Sequence, residues 1–137
     1  MTTARDIMTP DPQCISEDGW LLDAARLMAD LDVGALPICG NDGRLKGMLT
    51  DRDIVVKCLA RGGDPARTTA GSLAEGRPVT VGADDDIREA LTTMEHYQVR
   101  RLPVIDGHDL VGIIAQRDIA LALSATETGE TVEAISE

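Results

Sequence analysis

Residues 47–54 read Gly-Met-Leu-Thr-Asp-Arg-Asp-Ile, and residues 112–119 read Gly-Ile-Ile-Ala-Gln-Arg-Asp-Ile. Each stretch sets a glycine, a small residue, an arginine and an aspartate at fixed spacing, where an apolar run meets a polar one. In the first copy, Thr50 and Asp53 lie one helical turn apart. A hydroxyl beside the free N–H groups at a helix start suits a phosphate. An ionised carboxylate is an acceptor, and its two oxygens can bridge the vicinal hydroxyls of a ribose. With an apolar groove for a base, these groups are the parts of a nucleotide site. Gly47, inside a strand, marks the close approach of a ligand or of another backbone.

The same residues have a purely structural reading. Thr50-x-x-Asp53 is a capping box, in which the side chain of each residue accepts from the backbone N–H of the other. The second copy pulls the two readings apart. Ala115 cannot cap, yet Asp118 is present, serving either the helix dipole or a ribose. Arg52 and Arg117 follow at matching positions, as phosphate ligands or as solvated helix-start charges. Arg100 and Arg101 stand where the first copy has Gly34 and Ala35. They either make the second site the more positive or balance an acidic surface. The copy that carries the hydroxyl is expected to be the stronger phosphate site.

These motifs need a scaffold, and the scaffold is itself repeated. Val33-Gly-Ala-Leu-Pro37 matches Val99-Arg-Arg-Leu-Pro103 at an offset of 99 − 33 = 66, which falls to 112 − 47 = 65 after a turn. Two copies are too few for a solenoid, and a pseudo-twofold pair is expected. Each copy begins with a short extended segment, 13–15 or 79–81. A helix follows, with Leu21, Ala24, Ala25, Met28 and Leu31, or Ile87, Ala90, Leu91 and Met94, along one face. Two strands separated by a Gly/Asp turn come next, 35–39 and 45–49 or 101–105 and 110–114. A second helix closes the unit, from Asp51 to about Ala60 or from Gln116 to about Leu123. Asp86 is the expected N-cap of one first helix, with Glu89 completing a box. Trp20 occupies the aligned position and cannot cap, so Asp18 or Ser16 is expected to do so. Trp20 itself is read as folded over its helix end or as a partner contact.

The composition excludes several classes. The chain has 137 residues, 43% of them apolar and none phenylalanine, so its core is aliphatic. A formal net charge of −11 repels nucleic acid and anionic lipid at long range. It does not exclude a small anionic ligand held by local arginines. No apolar signal segment and no membrane-length apolar run is present, and a cytoplasmic location is expected. Three cysteines and two histidines form no zinc-type spacing. His96 and His108 read as surface residues and Cys58 as core. No nucleophile-base set stands out, and no enzyme activity is expected. The acidic segment 125–137 is expected to be a poorly ordered tail.

Two β-α-β-β-α units, each carrying an LPV-type strand and a Gly-x-x-Thr-x-x-Asp-type junction in register, resemble a tandem pair of CBS domains, or Bateman module. The resemblance runs from residue 4 to about 124. It assigns 4–60 and 70–124 to the two CBS domains and 61–69 to a linker, in an α/β (α+β) fold. It implies a regulatory module without catalysis and without a required cofactor. Such modules bind AMP, ADP, ATP or S-adenosylmethionine in their clefts, dimerise, and signal to a downstream protein. Gly47, Thr50 and Asp53 match the family's ligand motif in full. Gly112 and Asp118 match it in part, because Ala115 departs from it. Some members of the family have lost their ligand, and a dimeric interaction or stress-response protein with vestigial clefts is the alternative. The resemblance also makes the strands that end near Cys14 and Cys39 neighbours. Those sulfurs are then within bridging distance, either as free thiols or as a disulfide. The homodimer interface is expected on the helices at 21–31, 52–60, 87–97 and 117–123, because an apolar helix face left uncovered marks association.

Overall fold

The computed structural model describes residues 1–74 and 76–125. The expected acidic tail lies, past its first residue, outside the described residues. In chain order the elements are α1 (Ala4–Ile7), β1 (Thr9–Pro10), β2 (Ile15–Ser16), α2 (Leu21–Leu31), β3 (Ala35–Cys39) and β4 (Leu45–Thr50). Helix α3 follows, its turns changing from α (Asp51–Asp53) through π (Ile54–Cys58) to 3-10 (Leu59–Arg61). A 3-10 turn (Gly71–Leu73), β5 (Val81–Gly82), α4 (Ile87–Tyr97), β6 (Arg101–Asp106) and β7 (Asp109–Ala115) come next. Helix α5 spans 116–125. The β-α-β-β-α order appears twice, as the periodicity predicts.

The chain divides into two compact units. Asp11–Val79, with His108–Leu110, make the first-repeat unit. Met1–Pro10, Thr80–Gly107 and the described residues from Val111 onward make the second-repeat unit. The spatial division therefore differs from the sequence repeat in three places, the turn at His108–Leu110 being the smallest. The first ten residues belong with the second repeat, and residues 70–79 belong with the first.

In the first-repeat unit, β2 pairs parallel with β3, and β3 pairs antiparallel with β4. Strand β2 reaches only Ile38 and Cys39 of β3. Pro37, which has no N–H to donate, thus sits where β3 has an open side. Leu21, Ala24 and Met28 of α2 bury one helical stripe against Leu36, Ile38 and Leu49 of the sheet, joined by Ile54, Cys58 and Ala70. Each such aliphatic contributes about 1.5–3 kcal/mol over leaving it in water. Cys58 is buried, as expected, with its sulfur 3.8 Å from the Thr68 hydroxyl.

The second-repeat unit repeats this plan with one addition. Its sheet runs β1-β7-β6-β5, so the N-terminal segment supplies an edge strand. Thr9 and Pro10 pair with Ile113 and Gly112. Arg5 anchors the same segment through its ion pair with Asp106 at 2.8 Å and a second contact to Asp84. The hydrogen bond to Asp106 raises the guanidinium's pKa further. Ala4, Val81, Ile87, Ala90, Met94, Leu102, Val104, Ile114 and Ile119 are buried here.

The helix starts correct two expectations. Neither Ser16 nor Asp18 caps α2. The Ser16 hydroxyl accepts from the Asp18 N–H, and Asp18 accepts from Asn41. The orphan N–H groups of Leu21 and Leu22 donate instead to the carbonyls of Thr68 and Pro65, 2.9 and 3.0 Å away. The linker thus closes a helix end that Trp20 cannot. Asp86 does cap α4, accepting from Arg88 N–H at 2.9 Å, but Glu89 completes no box. The Thr2 carbonyl accepts from Ile87 N–H, the counterpart of the linker contact. Both α2 and α4 end on a left-handed residue, Asp32 and Gln98, at equivalent positions. A bond from Val33 N–H to Met28 O, or Val99 N–H to Met94 O, then closes the final turn.

Candidate functional site

The junction of β4 and α3 brings Thr50 and Asp53 together. Thr50 Oγ1 accepts from Asp53 N–H at 3.1 Å, and Asp53 Oδ2 accepts from Thr50 N–H at 3.0 Å. The capping box is therefore formed. The geometry leaves further capacity on both groups. Among the described residues the Thr50 hydroxyl proton has no acceptor, so it remains able to donate. Asp53 Oδ1 faces Lys57 Nζ at 3.5 Å. That i,i+4 pair was readable in the sequence and was missed. Arg52 lies exposed on the first turn of the helix.

The motif glycines are explained by the chain itself. A Cβ on Gly47 would stand 3.3 Å from Cβ of Ala74. On Gly112 it would run into the Met8 side chain and come within 2.9 Å of the Thr9 carbonyl. Of the two approaches the sequence allowed, ligand or backbone, both sites contain a crossing segment of this chain. Residue 74 and residues 8–9 play the same part, each in its own unit.

The junction of β7 and α5 is built differently. Gln116 N–H donates to the Arg100 carbonyl at 2.8 Å, just as Asp51 N–H donates to the Gly34 carbonyl at 3.0 Å. The backbone path is shared. Ala115 offers no oxygen to the following turn, and half-buried Asp118 has no cap partner there. A pocket of about 510 Å³ opens at this junction, lined by Arg100, Arg101, Arg117, Gln116, Leu91 and Ala115 among others. The structure thus brings Arg117 together with Arg100 and Arg101. It does not place Asp118 on that pocket's wall. Leu91 and Gln116 were read from the sequence only as a helix-face residue and a helix start, and not as residues of a site.

Cys14 and Cys39 form a disulfide with Cα atoms 5.8 Å apart. Cys39 is paired with Ser16 at the end of the parallel β2-β3 ladder, two residues along from Cys14. His96 and His108 are both exposed, with His96 edge-on to Tyr97. Among the described residues, no cluster of three or more His, Cys, Asp or Glu side chains is placed to hold a metal ion. Among them also, no helix is long and apolar enough to cross a membrane.

Residues 4–59 and 70–125 each match the CBS domain family. The chain belongs to the CBS-domain family. Its two CBS units form a Bateman module. Hypoxic response protein 1 of Mycobacterium tuberculosis is 53% identical to it over 135 residues, covering 98% of this chain and 94% of its own. A crystal structure of Hypoxic Response Protein I with two coordinated zinc ions is 55% identical, with a TM-score of 0.82, over 87% of this CBS pair and 97% of that chain. The CBS domain pair of protein MJ0100, in complex with 5′-methylthioadenosine and S-adenosyl-L-methionine, is 25% identical. It has a TM-score of 0.80 over 91% of this chain and 98% of its own. CBS-domain proteins are typically regulatory rather than catalytic, and the fold has members that hold adenosyl ligands.

Proposed function

We propose that this CBS pair is a regulatory module that binds an adenosyl ligand, of the AMP, ADP, ATP or S-adenosylmethionine class, and passes its state to a protein partner. It acts as a cytoplasmic homodimer and performs no catalysis. The observation that carries this reading is the Thr50–Asp53 junction. A hydroxyl still able to donate and a carboxylate with remaining lone pairs lie one turn apart, in a fold whose MJ0100 member holds adenosyl ligands. Thr50 and Arg52 would meet a phosphate or its equivalent, and Asp53 the ribose. In the second repeat, Asp118 would take the ribose and Arg117 the anionic end. Gly47 and Gly112 support both sites indirectly, by letting a crossing segment lie flat on the sheet. Exposed apolar residues on α3, α4 and α5, namely Val55, Leu59, Tyr97 and Leu121, support the expected dimer face. Trp20, 45% exposed, is available to the same contact.

The test is thermal unfolding of the full chain with AMP, ADP, ATP and S-adenosylmethionine. A ligand at 100 times its dissociation constant stabilises the native state by about 2.7 kcal/mol. A raised midpoint with at least one of them, diminished in Asp53→Asn, is the expected result. No shift with any of the four overturns the reading. The second reading, a dimeric interaction or stress-response protein with vestigial clefts, is favoured by the completed capping box and the Cys14–Cys39 disulfide. It expects a dimer by light scattering and a midpoint unmoved across the panel.

A further inference from the structure

Each unit straps one short segment against the end of its parallel strand, and the two straps are fastened by different chemistry. In the second-repeat unit, the N–H groups of Ala4 and Arg5 donate to the carbonyls of Asp85 and Ala83, both at 2.9 Å. In the first-repeat unit, those of Ala70 and Gly71 donate to the carbonyls of Gly19 and Glu17, both at 2.8 Å. The offset of 66 relates every one of these residues to its counterpart. The second strap is locked by Arg5, which pairs with Asp106 at 2.8 Å and with Asp84 at 3.5 Å. At the equivalent positions the first unit has Gly71, Gly40 and Asp18, which cannot make that lock. The Cys14–Cys39 bridge stands in its place. The Cys39 carbonyl accepts from Glu17 N–H at 2.9 Å, and the Glu17 carbonyl accepts from Gly71 N–H. One residue thus separates the bridge from the strap. The seat between them is thin. Strand β2 has two residues, too few to hold by its ladder alone, and of residues 14–19 only Ile15 is buried. The matching stretch of the second unit buries both Val81 and Ala83.

We infer that the Cys14–Cys39 bridge is a redox-operated clasp, opened by a protein dithiol, that sets how firmly the strap 70–74 is seated on the first-repeat unit. Cys14 is exposed and Cys39 half-buried, so the bridge is within reach of an attacking thiolate. That thiolate bonds to Cys14 Sγ as the Cys14–Cys39 bond breaks. The electron pair leaves on Cys39 Sγ, which takes up a proton. The second thiol of the dithiol, deprotonated, then bonds to the first and releases Cys14 as a thiolate, which is protonated in turn. Two electrons reduce the bridge, and the dithiol becomes a disulfide. The reverse exchange, with a protein disulfide, closes the clasp. Ala74 of the strap lies on Gly47, three residues before Thr50, so opening loosens the cover over β4 in this unit alone. The second unit has an ion-pair lock, and Thr80 and Ile105 stand in place of the two cysteines, so it has no bond there to reduce. The clasp stands or falls independently of the adenosyl reading.

The experiment is amide hydrogen exchange on the full chain, read residue by residue by NMR, before and after treatment with dithiothreitol in buffer without denaturant. Iodoacetamide labelling and peptide mass spectrometry locate the thiols released. Buried Cys58, in the same unit, reports whether that unit has unfolded. The further proteins are Cys14→Ser/Cys39→Ser and Arg5→Gln. Dithiothreitol should free Cys14 and Cys39 for labelling well before Cys58. Exchange at Ala70 and Gly71 should then accelerate about tenfold or more. It should change little at Ala4 and Arg5, and little at Val33, whose N–H closes the far end of α2 in the same unit. Cys14→Ser/Cys39→Ser should show the reduced pattern with or without dithiothreitol. Arg5→Gln should show the converse, with faster exchange at Ala4 and none added at Ala70 and Gly71. If no thiol is released without denaturant, or Cys58 is labelled as fast as Cys14, the bridge is a staple opened only by unfolding and the inference is overturned. It is overturned equally if Ala70 and Gly71 keep their oxidised-state rates, or if Val33 and Ala4 accelerate by the same factor. Should the double serine variant fail to fold, the wild type with and without dithiothreitol decides the matter by these same outcomes.

Discussion

The junctions at 50–53 and 115–118 follow one backbone path and are held by different means. In both, the first residue of the helix donates to the carbonyl just ahead of the hairpin's first strand, Gly34 before β3 in one and Arg100 before β6 in the other. At the first junction, two side chains and two N–H groups satisfy one another within a single turn. At the second, that local closure is absent and three arginines converge beside the same turn. The scaffold does not depend on the cap. The sheet, the helix stripe and the carbonyl contact hold the turn, which leaves the side chains at the junction open to different chemistry.

Three changes test how far this contrast extends. The largest effect is expected at the Cys14–Cys39 disulfide, which the second repeat replaces with Thr80 and Ile105. With a sequence separation of 25, the chain-entropy model assigns the bridge about 3.5 kcal/mol. Cys14→Ser/Cys39→Ser should lose about that much in denaturant unfolding and lose its response to reductant. Equal stability of variant and wild type under non-reducing conditions would remove the bridge as a difference between the repeats.

The next effect separates the two glycines. Gly112→Ala forces the Met8 side chain and the Thr9 backbone to move, at an expected cost of about 2 kcal/mol. Gly47→Ala meets the Ala74 methyl at 3.3 Å, with its other neighbours at ordinary contact distance, and should cost under about 1 kcal/mol. Paired urea titrations decide this, and a reversed order would mean that β1 is less firmly seated than residues 70–74. The smallest effect is the cap itself. Thr50→Ala should cost about 1 kcal/mol. Ala115→Thr, which offers Asp118 the missing partner, should gain a few tenths to 1 kcal/mol. If Thr50→Ala is neutral, the hydroxyl contributes nothing to folding and its presence points to a ligand alone.

Much of this was legible in the residues. The 66-residue offset, the helix stripes ending at Met28 and Met94, and the LPV strands predict the β-α-β-β-α order of each repeat, with boundaries within two residues of those observed, but not α1, β1 or the 3-10 turn at 71–73. Periodicity within an element is a local signal, and burial follows it. The misses share a cause. The capping of α2 by Thr68 and Pro65 carbonyls, and of α4 by the Thr2 carbonyl, uses backbone atoms that any residue carries. No sequence pattern marks a carbonyl as a cap. The β1-β7 pairing is equally silent, since two residues make no period. At the candidate site, Thr50 and Asp53 were found because their contact lies within one turn. Arg100 and Arg101 were noted as a departure from the first repeat. Their convergence with Arg117 required the fold, because residues 100 and 117 flank a hairpin and come together only when its two strands pair.

The N-terminal strand has a consequence for how the protein is made. During synthesis, residues 1–10 emerge well before their sheet partner, β7. The first-repeat unit, almost all of it contained in Asp11–Val79, can close while the opening segment still waits. At about 5–20 residues per second, Thr9 waits roughly 5–20 seconds for Ile113 to be made. Over that interval a nascent chain carries Met8 and the β1 edge uncovered. A ribosome that pauses after Val79 leaves one finished unit trailing a strand that belongs to the other.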